Sequence, residues 1–377
     1  MRALILMADT GGGHRAVSRA LADSLKRQHT EGIAVSIVDP LARTRRGLVR
    51  QIADLYGPAQ KYGRAIYHAA FRLTDSVDTF ARVREVLGGP LIDTIEEILT
   101  AEDPDVVVFA HSLVISPGLD AIGRRAQAGA RPVRGVTMVT DLATIHASWY
   151  DPRVALYFAP TDPVARTLRG FGVADERITV TGLPVNPRFG SVDTDVSTLR
   201  TALWLVADAP TALLMTGGDG SGPVIPLVTS LSRALPELQI VVVCGRNERL
   251  KRTLDGFCLP PLVRILGFVD NVPELMHAAD FVISKGGPQS ICEALASHRP
   301  VIVTDLLPGQ EAGNAAYVVR NGAGFYAPTT GDVLSATRRL LWDDALCARL
   351  SAAAAAASFR GTADRVASII ASQAVAA

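Results

Sequence analysis

The sequence has 377 residues, which is too long for a single ordinary hydrophobic core and is about right for two α/β domains. Its 38 basic and 37 acidic residues leave a net charge of +1, so no global positive field would draw the protein to nucleic acid. The four cysteines form no CxxC pair, which argues against a zinc site or a disulfide framework and favours a reducing compartment such as the cytoplasm.

Short β-branched runs alternate with helical patterns along the chain, which is typical of parallel sheets with crossover helices. The first apolar run meets Asp9 and a glycine cluster instead of a cleavage site, so it predicts a strand and not a signal peptide. The runs form two series of predicted strands, at 3–8, 34–38, 105–110, 133–139 and 156–159, and then at 212–215, 239–243, 263–266, 281–284 and 301–303. We therefore predict an α/β fold with one parallel sheet in each of two domains and a cleft between them.

The boundary between the two series is a segment of turn residues at 181–187. This predicts a first domain at 1–187, a second domain at 188–350, and C-terminal helices at 351–377, where alanine is abundant. No apolar stretch approaches the roughly 18 residues that a membrane span needs, so any membrane contact is expected to be peripheral.

Residues 41–90 interrupt the alternation and predict a helical insert in the first domain. They hold nine basic residues against four acidic ones, and five aromatic residues. Arginines interleaved with apolar and aromatic side chains suit an anionic lipid surface, although a solvated helical face over ordinary core is the alternative. The basic residues predicted to contact lipid are Arg43, Arg45, Arg46, Arg50, Lys61 and Arg64.

The first predicted strand leads into DTGGGH at residues 9–14, followed by an amphipathic helix. The spacing is not GxGxxG, so a nicotinamide cofactor is not indicated. His14 lies at the start of the helix, whose dipole disfavours a protonated imidazole. A neutral imidazole is what a general base requires, and the alternative is a histidine that only caps the helix.

A second polar stretch, TDLATIHASWY at residues 140–150, also follows a predicted strand. Asp141 could orient or assist a base, while Trp149 and Tyr150 could stack on a sugar or touch a lipid headgroup. Each of these residues could also be structural.

Two glycine turns in the second half suit an anion. The first, at 217–222, joins a strand to a helix that Pro223 can begin, and it lacks the Lys-Ser or Lys-Thr pair of a Walker P-loop. The second, at 285–287, opens a helix that carries Glu293, and a carboxylate can accept both hydroxyl protons of a ribose. Polar side chains at 310–314 sit at another predicted strand-to-helix junction and are suited to sugar hydroxyls.

Taken together, these motifs resemble glycosyltransferase family 28, and within it the monogalactosyldiacylglycerol synthases and related diacylglycerol glucosyltransferases. The resemblance covers nearly the whole chain and implies two Rossmann-like domains facing across a cleft, the GT-B type. It rests on the stretches 9–14, 140–150 and 217–222 together with VVVCGRNERL at 241–250, GFVDNVPELM at 267–276, SKGGPQSICEAL at 284–295 and PGQEAGNAAYVVRNGAG at 308–324.

The resemblance implies an inverting hexosyltransferase with the acceptor and base on the first domain and the UDP-sugar mostly on the second. The base would be His14 or Asp141, and the acceptor would meet Gly12, Gly13, His146, Trp149 and Tyr150. In the second domain Phe268 would face the uracil, Glu293 the ribose, and Gln310 and Glu311 the sugar, with Asn314 in support. The residues implied at the diphosphate are Gly217, Gly218, Asp219, Gly220, Gly287 and Ser290.

The chain departs from the lipid synthases at Gln289 and Ser290, where they usually carry glycine and threonine. Asp103 and Asp105 mimic a metal-binding DxD pair, but they lie around Pro104 at the entry to the strand predicted at 105–110. We expect no obligatory metal and no other cofactor, because helix N-termini and loop amides can stabilise the leaving diphosphate.

The leading hypothesis is transfer of galactose or glucose from a UDP-sugar to diacylglycerol or a similar lipid, at the inner face of the cell membrane. The expected partners are the UDP-sugar, the lipid acceptor and an anionic membrane surface that meets residues 41–90. The alternatives are a UDP-N-acetylglucosamine transferase acting on a polyprenyl-linked precursor and a UDP-sugar epimerase of the same architecture.

Overall fold

A computed structural model of the protein describes residues 1–9, 12–28, 32–44, 64–87, 89–191, 194–217, 223–306 and 311–375. The chain forms two compact units. The first contains residues 1–185 and the last helix, from 361 onward, and the second contains 186–306 and 311–360.

The first unit is built on a six-stranded parallel sheet with the order β2-β1-β3-β4-β5-β6. Its strands are β1 (Arg2–Leu6), β2 (Ala34–Val38), β3 (Val106–Phe109), β4 (Arg134–Met138), β5 (Leu156–Ala159) and β6 (Ile178–Val180). Its helices are α1 (Gly13–Gln28), α2 (Pro40–Arg43), α3 (Arg64–Thr74), α4 (Val77–Leu87), α5 (Gly89–Glu102), α6 (Ile115–Gln127), α7 (Asp162–Gly170) and α16 (Thr362–Val375).

The central strand β3 shows why this sheet forms. All four of its residues are fully buried, and Val107 pairs with Leu4 of β1 and Gly135 of β4. A Cβ at Gly135 would lie 2.8 Å from the Phe109 ring, and one at Gly118 of α6 would lie 2.3 Å from it. The two glycines therefore make the space in which one large buried ring joins sheet and helix, and a larger residue would strain the core.

The second unit has a parallel sheet with the order β12-β11-β10-β7-β8-β9. Its strands are β7 (Thr211–Met215), β8 (Gln239–Val243), β9 (Val263–Leu266), β10 (Phe281–Ser284), β11 (Val301–Val303) and β12 (Gly324–Tyr326). Its helices are α8 (Val196–Ala202), α9 (Val224–Ala234), α10 (Glu248–Asp255), α11 (Val272–Ala278), α12 (Pro288–Ala296), α13 (Ala312–Arg320), α14 (Thr330–Trp342) and α15 (Asp344–Ala356).

Both sheets reverse their strand order at one point, and in open parallel sheets ligands bind beside the carboxyl ends of the two strands that flank such a point. In the first unit that point lies between β1 and β3. In the second unit, whose order is the Rossmann order, it lies between β7 and β10. The fold thus marks one candidate site in each unit.

Two short edge strands, β6 and β12, were not predicted from the sequence. Each has three residues and pairs with one neighbour, β5 and β11 respectively. A Cβ at Gly324 would lie 1.9 Å from the Val301 carbonyl oxygen, so the close approach of β12 to β11 requires glycine. Glycine inside a strand weakens the strand pattern in the sequence.

The two C-terminal helices belong to different units, although the sequence analysis assigned residues 351–377 to one segment. Helix α15 belongs to the second unit, whereas α16 packs along α1 in the first. On α16, Asp364 accepts hydrogen bonds from Ser24 and Arg27 of α1, and its carbonyl accepts one from Gln28 at 2.8 Å. None of the helices in the described part of the chain has the length and apolar content needed to span a bilayer.

The predicted insert is helical where it is described. Helices α3 and α4 contact one another and α4 also contacts α5, while Arg43 is exposed at the end of α2. Four of the residues predicted to contact lipid lie outside the described residues, and they are Arg45, Arg46, Arg50 and Lys61.

Candidate active site

His14 lies at the switch point of the first unit. Gly12, with φ of +82°, adopts a left-handed conformation that favours glycine, and it begins the turn into α1. His14 is the second residue of α1, and its Nδ1 lies 2.9 Å from the carbonyl oxygen of Ala110, just after β3. The same Nδ1 lies 2.8 Å from the hydroxyl of Thr140, just after β4. Three strand ends therefore fix the imidazole.

The Ala110 carbonyl can only accept a hydrogen bond, so it assigns the tautomer of His14. Nδ1 carries the hydrogen and donates it, and in the neutral ring Nε2 is left with a lone pair. Burial lowers the pKa of His14 below its ordinary value of 6.5, and the charges of Asp141 and Asp9 offset this in part. His14 is thus suited to act as a base at neutral pH, mainly through burial.

His111 is a neighbour that the sequence analysis missed. It follows β3, is 4% exposed, and its ring centroid lies 4.4 Å from that of His14. Its backbone position begins a short 3₁₀ helix at Ser112–Val114, where its Nδ1 accepts the Leu113 N–H at 3.2 Å. The sequence offers only a lone histidine after a strand, which is a weak signal.

Asp141 and Trp149 form a buried pair. The indole Nε1 of Trp149 donates to Oδ2 of Asp141 at 2.6 Å, and Asp141 is 8% exposed. Trp149 is only 2% exposed and belongs to the hydrophobic core. In this structure the indole therefore holds the Asp141 carboxylate, and the predicted acceptor contact at Trp149 remains a prediction.

His146 connects the loop after β4 to the helical insert. Its Nδ1 accepts the Ser148 N–H at 3.0 Å, so Nε2 carries the hydrogen and faces the hydroxyl of Thr74 and the carbonyl of Phe71, each at 3.2 Å. The Asp75 carboxylate accepts the Ala147 N–H at 2.9 Å. In this structure His146 fastens the insert to the loop that carries Asp141.

Tyr150 packs elsewhere in the same unit. Its ring centroid lies 6.1 Å from that of Phe171, at the end of α7, and a Cβ at Gly172 would lie 3.7 Å from its hydroxyl. Its predicted contact with an acceptor remains a prediction.

In the second unit, Gly217 and Lys285 meet at the switch point between β7 and β10. Gly217 has φ of +72°, and a Cβ there would lie 2.8 Å from the Lys285 side chain. The lysine stem therefore crosses the glycine turn, which brings a cation to the turn predicted to bind diphosphate. Lys285 was not among the predicted donor contacts. The remaining predicted residues of that turn, Gly218, Asp219 and Gly220, lie outside the described residues.

The second glycine turn is supported from α13. The side chain of Asn314 is buried and donates to the Gly286 carbonyl at 2.7 Å, and a Cβ at Gly286 would lie 3.4 Å from the Cβ of Glu311. Asn314 therefore holds the turn, and its supporting role in donor binding remains a prediction. The structure brings Glu311 beside the same turn, whereas Gln310 lies outside the described residues.

Helix α12 begins directly after this turn. Gly287 precedes its first residue, Pro288, and the backbone N–H groups of Gln289 and Ser290 lie in the first turn, where a helix offers its amides no carbonyl partner. One turn further, Glu293 accepts a hydrogen bond from Gln289 at 2.9 Å. Burial raises the pKa of Glu293 to about 7, so the carboxyl titrates near neutrality.

Phe268 lies in the loop after β9 and is 64% exposed, with the Arg246 guanidinium 5.2 Å from its ring centroid. Strand β9 is two strands from β7, a distance of about 10 Å at the usual strand spacing. An exposed ring at that distance from the diphosphate turn suits a nucleoside base, and its contact with uracil remains a prediction.

The DxD-like pair is held by arginines. Arg131 binds the carboxylates of both Asp103 and Asp105, Arg2 pairs with Asp103 at 3.1 Å, and the Arg2 N–H donates to Asp105 at 2.6 Å. The hydrogen bond from Arg131 lowers the pKa of Asp103. Among the residues that the structure describes, no group of three or more His, Cys, Asp or Glu side chains could hold a metal ion.

The fold is that of the GT-B class, which glycosyltransferases share with nucleotide-sugar epimerases. Anabaena HepE in complex with UDP-glucose matches with a TM-score of 0.60 and 17% identity over 100% of both chains. The UDP-GlcNAc 2-epimerase of Neisseria meningitidis bound to UDP-GlcNAc matches with a TM-score of 0.65 and 14% identity, over 99% of this chain and 100% of that one. At these identities the likeness shows the fold alone.

Sequence relatives narrow this class to a family. Residues 14–185 match the monogalactosyldiacylglycerol (MGDG) synthase family, and residues 211–337 match the glycosyltransferase family 28 C-terminal domain. The probable monogalactosyldiacylglycerol synthase 2 of Oryza sativa subsp. indica is 33% identical over 346 residues, covering 86% of this chain and 70% of that protein. The synthase of Spinacia oleracea is 31% identical over 88% of this chain and 64% of that protein. The chain belongs to the MGDG synthase family and is a glycosyltransferase.

Proposed function

We propose that the protein transfers a hexose, with galactose favoured over glucose, from a UDP-sugar to diacylglycerol or a similar lipid acceptor. The observation that carries this proposal is the position of His14. Its imidazole is fixed through Nδ1 at the switch point of the first unit, in a chain whose relatives are named MGDG synthases. Nε2 is the atom that would take the proton of the acceptor hydroxyl.

In the proposed reaction the lipid oxygen attacks the anomeric carbon in one in-line step that inverts it. The hydroxyl proton passes to His14 Nε2, the new carbon–oxygen bond forms, and the bond to the diphosphate breaks with its electron pair leaving on UDP. Asp141 stabilises the imidazolium, since its charge favours the protonated ring. Trp149 holds that carboxylate through the 2.6 Å hydrogen bond.

The donor would bind at the switch point of the second unit. The Gly217 turn, the Lys285 ammonium and the first-turn amides of α12 suit the negative diphosphate. Glu293 would accept the ribose hydroxyls, and Glu311 and Gln310 the sugar hydroxyls. We therefore propose that these contacts stabilise the leaving group and that no obligatory metal is needed.

The lipid acceptor requires the enzyme to work at a membrane surface. We place this surface at the inner face of the cell membrane, with residues 41–90 as the docking segment. The arrangement of His146 supports this view, because its hydrogen bonds link helix α3 of that segment to the loop that carries Asp141. Docking would then bring the acceptor to the candidate base.

The deciding experiment offers the purified protein diacylglycerol liposomes with labelled UDP-galactose, UDP-glucose or UDP-N-acetylglucosamine, with and without EDTA. We expect label in a monohexosyl lipid, most from UDP-galactose, and no loss with EDTA. Transfer only from UDP-N-acetylglucosamine to a polyprenyl-linked acceptor would replace this proposal. Interconversion of UDP-sugars without any labelled lipid would favour an epimerase.

A further inference from the structure

His111 occupies the other side of the switch point from His14. It follows β3, whereas His14 follows β1, and the two ring planes are tilted by 54° with their centroids 4.4 Å apart. His111 Nδ1 accepts the Leu113 N–H, so the hydrogen of its neutral ring is on Nε2. The ring is therefore anchored by its own backbone turn, independently of His14.

Two imidazolium ions cannot share this position. At 4 Å a pair of like unit charges repels by about 4 kcal/mol at a protein-like dielectric of about 20. His111 is almost entirely buried, and both burial and the charge of His14 hold its pKa well below 6.5. His111 therefore stays neutral while His14 takes up and releases a proton.

The charged groups that face His14 raise its pKa, whereas burial lowers it. Asp9 at the end of β1 and Asp141 after β4 are carboxylates, and each favours the protonated imidazole. From β3 the neutral ring of His111 packs against His14, with 4.4 Å between the ring centroids, and so contributes to the burial of the His14 imidazole. The pKa of His14 is thus a balance between burial, which lowers it, and the two carboxylates and the Ala110 carbonyl, which raise it; burial outweighs the others.

We propose that His111 is a positioning residue for the transfer reaction, whose ring packs on His14, fixes the plane of the base and keeps it unprotonated at neutral pH. This inference rests on the proposed function, in which His14 is the base. It assigns the effect to the ring of His111 and not to its hydrogen bond with Leu113.

Two substitutions separate ring from hydrogen bond. His111→Asn keeps a side-chain acceptor for the Leu113 N–H and removes the ring, whereas His111→Phe keeps a ring and removes the acceptor. We expect His111→Asn to shift the acid limb of the kcat/KM profile upward towards pH 6.5, and to lower kcat while leaving UDP affinity unchanged. Each unit of upward shift costs about tenfold in the fraction of unprotonated base at acid pH. His111→Phe should keep the wild-type limb.

The same shift can be measured without activity, by an NMR titration of the His14 imidazole in the wild type and both variants. A raised His14 pKa in His111→Asn alone supports the inference. An unchanged His14 pKa in His111→Asn, or an equal rise in both variants, overturns it. Absence of sugar transfer by the wild type would instead overturn the proposed function, and the titration would still decide the role of His111 in holding His14 neutral.

Discussion

Glu293 should make donor binding depend on pH near neutrality. Only the ionised carboxyl offers both of its oxygens as hydrogen-bond acceptors to the two hydroxyls of a ribose, and burial raises the pKa of Glu293 to about 7. Binding should therefore strengthen as the pH rises through 7 and weaken as it falls. Replacing Glu293 by glutamine removes the titrating group and keeps the size of the side chain.

The magnitude follows from the pKa. With a value of about 7, roughly one tenth of the carboxyl is ionised at pH 6 and roughly nine tenths at pH 8. If the ribose requires the ionised form, the affinity of the wild type at pH 8 should be about tenfold that at pH 6. Glu293→Gln should show almost no difference between the two, and at pH 8 should lose the about 1.5 to 3 kcal/mol of a charged hydrogen bond.

Calorimetry with an intact UDP-sugar is the appropriate assay, because the terminal phosphate of UDP itself titrates near pH 6. Glu237→Gln is a matched control, since Glu237 is exposed in the turn before β8, at the amino ends of the parallel strands, whereas the candidate site lies at their carboxyl ends. It should keep the pH dependence of the wild type. A pH dependence that persists in Glu293→Gln would refute the assignment of Glu293 to the ribose.

Three further perturbations test the rest of the site. His14→Ala should lower turnover by about two to four orders of magnitude in the liposome assay and spare UDP affinity; near-normal turnover would shift the role of base to Asp141. Trp149→Phe keeps a buried ring but removes the donor to the Asp141 carboxylate, which should lower the unfolding free energy by about 1.5 to 3 kcal/mol in urea denaturation. A value within error of the wild type would contradict that pairing. Charge reversal in the insert, at Arg43, Arg45, Arg46 and Arg50, should abolish sedimentation of the protein with anionic vesicles. Sedimentation of the wild type should weaken as the salt concentration rises. Unchanged pelleting of the variant would reject the docking segment.

The sequence determined the two sheets because parallel strands buried on both faces are nearly continuous apolar runs. Such a run can be recognised as a strand from its own residues, without reference to the neighbouring strands. Strands β3 and β8 are examples in which every residue is buried. The edge strands β6 and β12 lack that signal, because they are short and their residues are largely only partly buried. Their pairing depends on β5 and β11, from which they are separated in the chain by α7 and α13 respectively.

The sequence also located the turns of the site, since glycine followed by a helix has a local signature at 12–14 and 285–288. Which side chains these turns meet depends on contacts between distant segments. Trp149 is of a residue type that often stacks on ligands, but in the structure the core encloses its ring and its indole N–H donates to Asp141.

His111 and His146 show the same difference between what a local sequence pattern indicates and what contacts between distant segments decide. Neither histidine has a local pattern that indicates its partner, because His14 is 97 positions from His111 and Thr74 is 72 positions from His146. The chemistry of each residue is written in the sequence, whereas its tautomer, burial and pKa are set by groups that only folding brings within hydrogen-bonding distance.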